Sequence, residues 1–313
     1  MEYRRLGSSG LRVSVIGLGG NTFGRYADEH QTAACVSAAL DAGINMFDTA
    51  NIYNNGVSEE YLGKALKGRR NEAIIATKAG MRMGSGPNDS GSSRKHIIDS
   101  AHASLRRLNT NYIDLFQIHE YDASVPLEET LDALNDLVHA GDVRYIGCSN
   151  YASWQLTHAL WISDRRNWAS FVSVQPEYNL LSRGIERELI PACLEFGVGV
   201  IPYFPLAAGV LTGKYKPNQP TPENTRGHNN PNFASRLNSQ DLETAQRLDD
   251  WAQERGHTVG ELALAWLAAQ PAVSTVIAGV RAPEQVRANV KAGEWALSSE
   301  DLASVSTLLQ AGV

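Results

Sequence analysis

The stretch "IDLFQIHEYDASVPLEETLDALNDLVHAGDVRYIGCSN", residues 113 to 150, holds one complete structural unit. Ile113 to Ile118 is an apolar run of strand length, "PLEETLDALNDLVHAG" spaces its leucines as a helix does, and Val143 to Cys148 is a second apolar run. Gly141 stands where the helix should stop. Both runs are apolar on both faces, as strands of a parallel sheet are when helices cover the outside.

The same alternation runs outward in both directions. Further strands are expected at Val15 to Leu18, Asn45 to Phe47, Ala73 to Thr77, Phe171 to Val174, Gly199 to Tyr203 and Thr275 to Ile277, eight in all with the two above. Between them lie amphipathic segments such as "TAACVSAALDAG", "SEEYLGKALKG", "RKHIIDSAHASLRRL" and "ASWQLTHALWISD". Gly43, Gly68 and Gly197 mark further helix ends, and Ser58 with Glu60 and Tyr61 reads as a helix start. Eight units without a linker favour a closed (β/α)8 TIM barrel over a doubly wound sheet, as one domain over residues 1–313. An N-terminal β-hairpin turning at Ser8, Ser9 and Gly10 precedes it. A Pro- and Asn-rich stretch without apolar period, residues 213–238, reads as a long loop after strand seven, a lid or binding loop.

Composition removes several classes of function. A formal charge of −6 with acids and bases mixed along the chain offers no basic stripe for nucleic acid or an anionic membrane. No apolar run reaches the roughly 20 residues of a membrane span, and "MEYRRLGSSGLRVSVIGLGG" turns where a signal peptide would stay apolar. Cys35, Cys148 and Cys193 are odd in number and form no CxxC, so neither a disulfide framework nor structural zinc is expected. Together these point to a cytoplasmic protein. Self-association is left possible, with no surface marked for it.

In a (β/α)8 barrel the chemistry sits at the carboxyl ends of the strands. Strand two ends in Asp48, with Tyr53 in the following loop; strand three ends near Lys78 and strand four at His119. Strand five brings Ser149 and Asn150, strand six Gln175, and strand seven Tyr203. Asp48 with Lys78 can be a plain buried ion pair. Tyr53 changes that reading, because an ammonium stabilises a phenolate and lowers the pKa of a phenol from roughly 10. His119 is either a core histidine bonded to backbone or a neutral imidazole that orients a carbonyl.

No nucleophile or metal accompanies these groups. There is no GxSxG, Cys148 has no histidine beside it in sequence, and the histidines form no HExxH. A tyrosine acid aimed at a carbonyl still needs a hydride donor, which no side chain supplies. "GLGGNTFG" is not a Rossmann fingerprint, since Thr22 stands at its third glycine. "GVLTGK", Gly209 to Lys214, falls one residue short of a P-loop and is followed by Tyr215, yet its backbone N–H groups can cradle a diphosphate.

The set Asp48, Tyr53, Lys78 and His119, with "GCSNY", "VQPEYNLL", "PLAAGVLTGKY" and "VIAGVRAPEQVRAN", closely resembles the aldo-keto reductase superfamily almost end to end. "LTGKY" and the long loop after it resemble the microbial and potassium-channel β-subunit branch. The resemblance implies a barrel that binds NADP(H), with NAD(H) possible, and reduces aldehydes or ketones to alcohols. It makes Tyr53 the proton donor, Lys78 its tuner, Asp48 the residue that positions Lys78, and His119 the carbonyl-orienting group. It gives Ser149, Asn150 and Gln175 to the carboxamide, Tyr203 to stacking on the nicotinamide, and Gly20, Asn21 and Thr22 to the nicotinamide ribose. Leu206, Gly209, Leu211, Gly213 and Lys214 would line the diphosphate, with Arg226 as a clamp. Gly279, Arg281, Gln285 and Asn289 match the adenosine end, where many relatives carry Lys and Arg in place of Gly279 and Gln285. Phe23, Tyr26, Tyr53, His119, Glu120 and Tyr121 would surround a small carbonyl or alcohol substrate. The competing reading is a regulatory subunit that holds the cofactor with little turnover.

Overall fold

The computed structural model describes residues 1–223, 228 and 237–310. Two short strands, β1 (Tyr3–Arg5) and β2 (Arg12–Ser14), pair antiparallel as the expected hairpin. Eight parallel strands follow: β3 (Ile16–Gly19), β4 (Met46–Asp48), β5 (Ile74–Ala79), β6 (Ile113–Ile118), β7 (Val143–Ser149), β8 (Phe171–Gln175), β9 (Gly199–Val200) and β10 (Val276–Gly279). From β3 to β9 each pairs with the next, and β10 returns beside β3. A parallel bridge between Val200 and Val273, with Val200 N–H donating to the Ala272 carbonyl at 2.8 Å, joins the remaining edges. The result is a (β/α)8 barrel. The helices that position the site are α1 (Glu29–Asp41), α2 (Val57–Ala65), α3 (Arg94–Leu108), α4 (Leu127–Ala140), α5 (Ser153–Arg166) and α6 (Leu189–Phe196).

The apolar residues form two cores. Met46, Ile74, Leu115, Ile201 and Ile277 fill the barrel interior, and the hairpin supplies Leu6 and Val13 as its floor. The larger cluster lies between the sheet and the helices, as strands apolar on both faces require. Gly7 holds the hairpin against the barrel, for a Cβ there would stand 2.5 Å from the Gly197 carbonyl oxygen.

Several strand boundaries differ from the sequence reading for one reason. The apolar run stops at the first polar side chain, but the hydrogen-bond ladder continues through Asp48, Lys78, Ser149 and Gln175. These polar residues therefore sit on the rigid sheet. Strand seven is shorter than expected: Pro202 has no N–H to donate, and Tyr203 makes only an isolated bridge to Glu177. Ser58 does not cap α2. Its hydroxyl donates to the Gly20 carbonyl at 2.8 Å and bonds Thr49 Oγ1 at 2.7 Å. Among the described residues no helix is long and apolar enough to cross a membrane, and no three His, Cys, Asp or Glu side chains gather as a metal site.

Candidate active site

Asp48, Lys78 and His119 reach the barrel mouth from β4, β5 and the residue after β6. Lys78 is fully buried and Asp48 nearly so. The ammonium donates to Asp48 Oδ1 at 2.7 Å, to Oδ2 at 2.8 Å and to the Thr49 carbonyl at 2.9 Å. It also donates to the Tyr53 hydroxyl oxygen at 3.3 Å. Burial alone would depress this ammonium, but Asp48 and Tyr53 outweigh it and hold its pKa above the ordinary value.

The Tyr53 phenol departs from expectation. Burial pushes its pKa up, and Lys78 opposes that shift without reversing it. The phenol thus keeps its proton at neutral pH. Because Lys78 occupies the oxygen as a donor, the tyrosine proton remains available to another acceptor.

The loop carrying Tyr53 is tightly fixed. Asn54 (φ 50°), Asn55 (φ 54°) and Gly56 (φ 93°) are three successive left-handed residues, a run that Asn and Gly tolerate best. Asn54 Nδ2 donates to the Gly24 carbonyl at 2.6 Å. Behind the loop, the fully buried Glu59 accepts from Thr77 Oγ1 at 2.5 Å and from Arg107 Nε at 2.6 Å. Arg107 also covers Gly56, where a Cβ would come within 2.6 Å of its Cδ. Arg107, Glu59 and Thr77 thereby tie the tyrosine loop to the strand that bears Lys78. Sequence reasoning missed this tie, although Glu59 falls in phase with Leu62 and Gly63 on the buried face of α2.

His119 meets the Tyr53 ring edge-on, with centroids 5.9 Å apart and planes at 80°. Its backbone N–H donates to the Ala79 carbonyl at 2.8 Å, and its carbonyl accepts from Asn150 Nδ2 at 3.1 Å. The ring nitrogen Nδ1 is buried without a partner. Burial and the nearby Lys78 charge lower its pKa to about 3, so the imidazole is neutral at physiological pH. A core histidine satisfied by backbone would not leave a ring nitrogen orphaned.

The amide cluster is brought together, but its polar atoms already have partners. Gln175 Nε2 donates to Asp48 Oδ2 at 2.8 Å, a contact the sequence did not suggest. Ser149 Oγ donates to the Gln175 carbonyl at 2.7 Å, and the Tyr203 hydroxyl to Asn150 Oδ1 at 3.0 Å. After β9 the backbone is left-handed at Phe204, Ala207, Ala208, Gly209 and Gly213, and the Ala207 and Gly209 N–H groups donate to the Phe204 and Leu206 carbonyls at 2.8 and 2.7 Å. Leu206 is half-buried there, the Leu211 side chain is buried, and Lys214 is exposed over the Tyr215 ring. Arg226 lies outside the described residues.

The other flank is equally close-set. A Cβ on Gly279 would stand 2.9 Å from Asn21 Oδ1, and Thr22 Oγ1 donates to the Val280 carbonyl at 2.6 Å. On Gly20, a Cβ would stand 3.0 Å from the Asp48 carbonyl oxygen. The Gln285 side chain is engaged by the Arg281 backbone N–H at 2.7 Å, while Asn289 is half-buried on the same helix. Arg281 is exposed and forms no ion pair among the described residues.

Phe23, expected to border the substrate, is instead sealed in the core. Tyr26 is exposed beneath Arg25. Glu120 and Tyr121 border a cavity of about 530 Å³ between the loops after β5 and β6, with Gly80, Asn88, Ser92 and Asp122.

A parallel barrel with a buried lysine, a protonated phenol and a neutral imidazole at its mouth is a site for proton donation to a polarised oxygen. The chain belongs to the aldo/keto reductase family, whose sequence profile matches residues 15–310, and it is an oxidoreductase of that family. It is 40% identical to a probable voltage-gated potassium channel subunit beta of Oryza sativa subsp. japonica, over 93% of this chain and 91% of that protein. It is 34% identical to versiconal hemiacetal acetate reductase of Aspergillus parasiticus, over 96% and 95% of the two chains. It is 36% identical to L-glyceraldehyde 3-phosphate reductase of Escherichia coli O157:H7, over 97% and 91%.

Proposed function

We propose that the protein reduces aldehydes and ketones to alcohols with NADP(H), in the cytoplasm, with Tyr53 as the proton donor. The observation that carries this reading is the Lys78 ammonium, which donates to the Tyr53 oxygen at 3.3 Å while Asp48 holds it with both oxygens. The bound nicotinamide supplies the hydride. Tyr53 gives its proton to the oxygen that becomes negative, and the Lys78 charge stabilises the phenolate left behind. Asp48, held by Gln175, keeps Lys78 in place. His119, neutral, orients the carbonyl oxygen with its imidazole.

The cofactor is matched by the cradle around it. The left-handed backbone after β9 suits a diphosphate, and the glycine at 279 leaves room where a Cβ would press on Asn21. Ser149, Asn150 and Tyr203 line the approach to the tetrad, the last with its ring tied to Asn150. Arg281, without an ion pair among the described residues, is the cation for a 2′-phosphate, which favours NADP over NAD. The cavity beside Glu120 and Tyr121 receives the remainder of a small carbonyl substrate.

The test is oxidation of NADPH and of NADH against aromatic aldehydes, methylglyoxal, a steroid ketone and several aldoses. Turnover with at least one carbonyl is the expected result. Tight NADPH binding without turnover of any carbonyl would favour the regulatory reading.

A further inference from the structure

Six large apolar side chains are exposed among the described residues, and four of them lie on two adjoining helices. Trp154 (62% exposed) and Trp161 (56%) lie on α5; Leu194 (54%) and Phe196 (50%) lie on the neighbouring α6. None of them belongs to the tetrad or its cofactor cradle, although the Trp154 ring meets Tyr121 edge-on at 5.7 Å. Trp154, His158, Trp161 and Arg165 form a solvent-facing stripe along α5 at helical spacing, and the His158 ring stacks on Trp161 with centroids 6.2 Å apart. Tryptophan so exposed on a rigid helix is the usual anchor of a protein interface rather than a feature of a free surface.

We propose that this face joins two copies of the chain through a twofold axis crossing α5 near Thr157 and His158. The stripe is complementary to itself. Trp154 and Trp161 are seven residues, about 10 Å, apart along the helix, so antiparallel packing about their midpoint sets each Trp154 against its mate's Trp161.

The charges agree with that arrangement. Arg165, at the C-terminal end of the stripe, lies 5.6 Å from the Trp161 ring centroid and has no ion pair among the described residues. Glu188 flanks the opposite end, where Ser153 Oγ donates to its carbonyl at 3.3 Å. The twofold brings the Arg165 of each copy toward the Glu188 of the other. Glu188 now pairs with Arg187 at 3.2 Å, and both side chains are largely exposed. Such a surface pair is worth little and is readily exchanged.

Sedimentation equilibrium of the full chain, from low to high micromolar concentration, reads the outcome. A dimer is expected for the wild type, and Trp161→Glu should raise the dimer Kd at least roughly 30-fold, the loss typical of a tryptophan anchor. Helix content and carbonyl turnover should be kept. Arg165→Glu should weaken the dimer, and adding Glu188→Arg should restore it. Because Cys35, Cys148 and Cys193 are all buried, a Thr157→Cys chain should cross-link on mild oxidation, and this decides the matter if Trp161→Glu does not fold. A wild type that stays monomeric at high micromolar concentration overturns the proposal. So does an oligomer that Trp161→Glu leaves intact and Thr157→Cys fails to cross-link.

Discussion

Replacing Asp48 with asparagine leaves Lys78 buried without its counter-ion, and the size of the effect follows from the contacts. Both Asp48 oxygens accept from the ammonium, at 2.7 and 2.8 Å, and Oδ2 also accepts from Gln175 Nε2 at 2.8 Å. An asparagine offers one acceptor and turns an NH2 group toward donors. Removing one member of a buried pair costs about 3–5 kcal/mol, which for a chain of this size lowers Tm by roughly 5–8 °C. The pH dependence gives a second reading. In the wild type the Lys78 pKa is raised above 10.5, so its stabilising contribution is complete at neutral pH and is lost only in strong alkali. In Asp48→Asn, burial is opposed only by Tyr53 and depresses that pKa below its unfolded value. The unfolded chain then holds more protons than the native one, and stability should rise from pH 7 to pH 9. Chemical denaturation at several pH values tests both points. The double variant Asp48→Asn with Lys78→Met removes the stranded charge and should be more stable than Asp48→Asn alone. An unchanged Tm in Asp48→Asn, or additive losses in the double variant, would refute the reasoning.

Other residues carry predictions of their own. His119, with a pKa of about 3 in the native protein and 6.5 as its ordinary value, favours the unfolded state increasingly as pH falls through that window. Urea midpoints measured from pH 7 to pH 4 should therefore fall more steeply for the wild type than for His119→Gln. Arg107→Met strands the buried Glu59 and frees the loop bearing Tyr53; it should destabilise by about 3–5 kcal/mol and lower kcat, both read on the purified variant. Arg281→Ala should raise the KM for NADPH more than that for NADH, and equal changes would remove Arg281 from the 2′-phosphate.

The barrel was legible because its signal is redundant: eight apolar runs, each followed by a helical pattern, admit few other closed arrangements. Asp48, Lys78 and His119 could be placed at its mouth for the same reason. Tertiary detail was not. Nothing local tells that Gln175 donates to Asp48, 127 residues away, or that Ser58 turns from a helix cap to the Gly20 carbonyl. Aromatic groups near a strand end suit either core or site, and only packing puts Phe23 in the core. The direction of the Tyr53 shift was also beyond the sequence, which shows a cation nearby but not the burial that outweighs it.

The central claim is that Tyr53 donates the proton. The most direct test compares wild type and Tyr53→Phe for carbonyl reduction and, separately, for NADPH binding by fluorescence quenching. Reduction should fall by roughly 10² to 10⁴-fold with cofactor affinity nearly unchanged. Reduction that persists near the wild-type rate would contradict the claim.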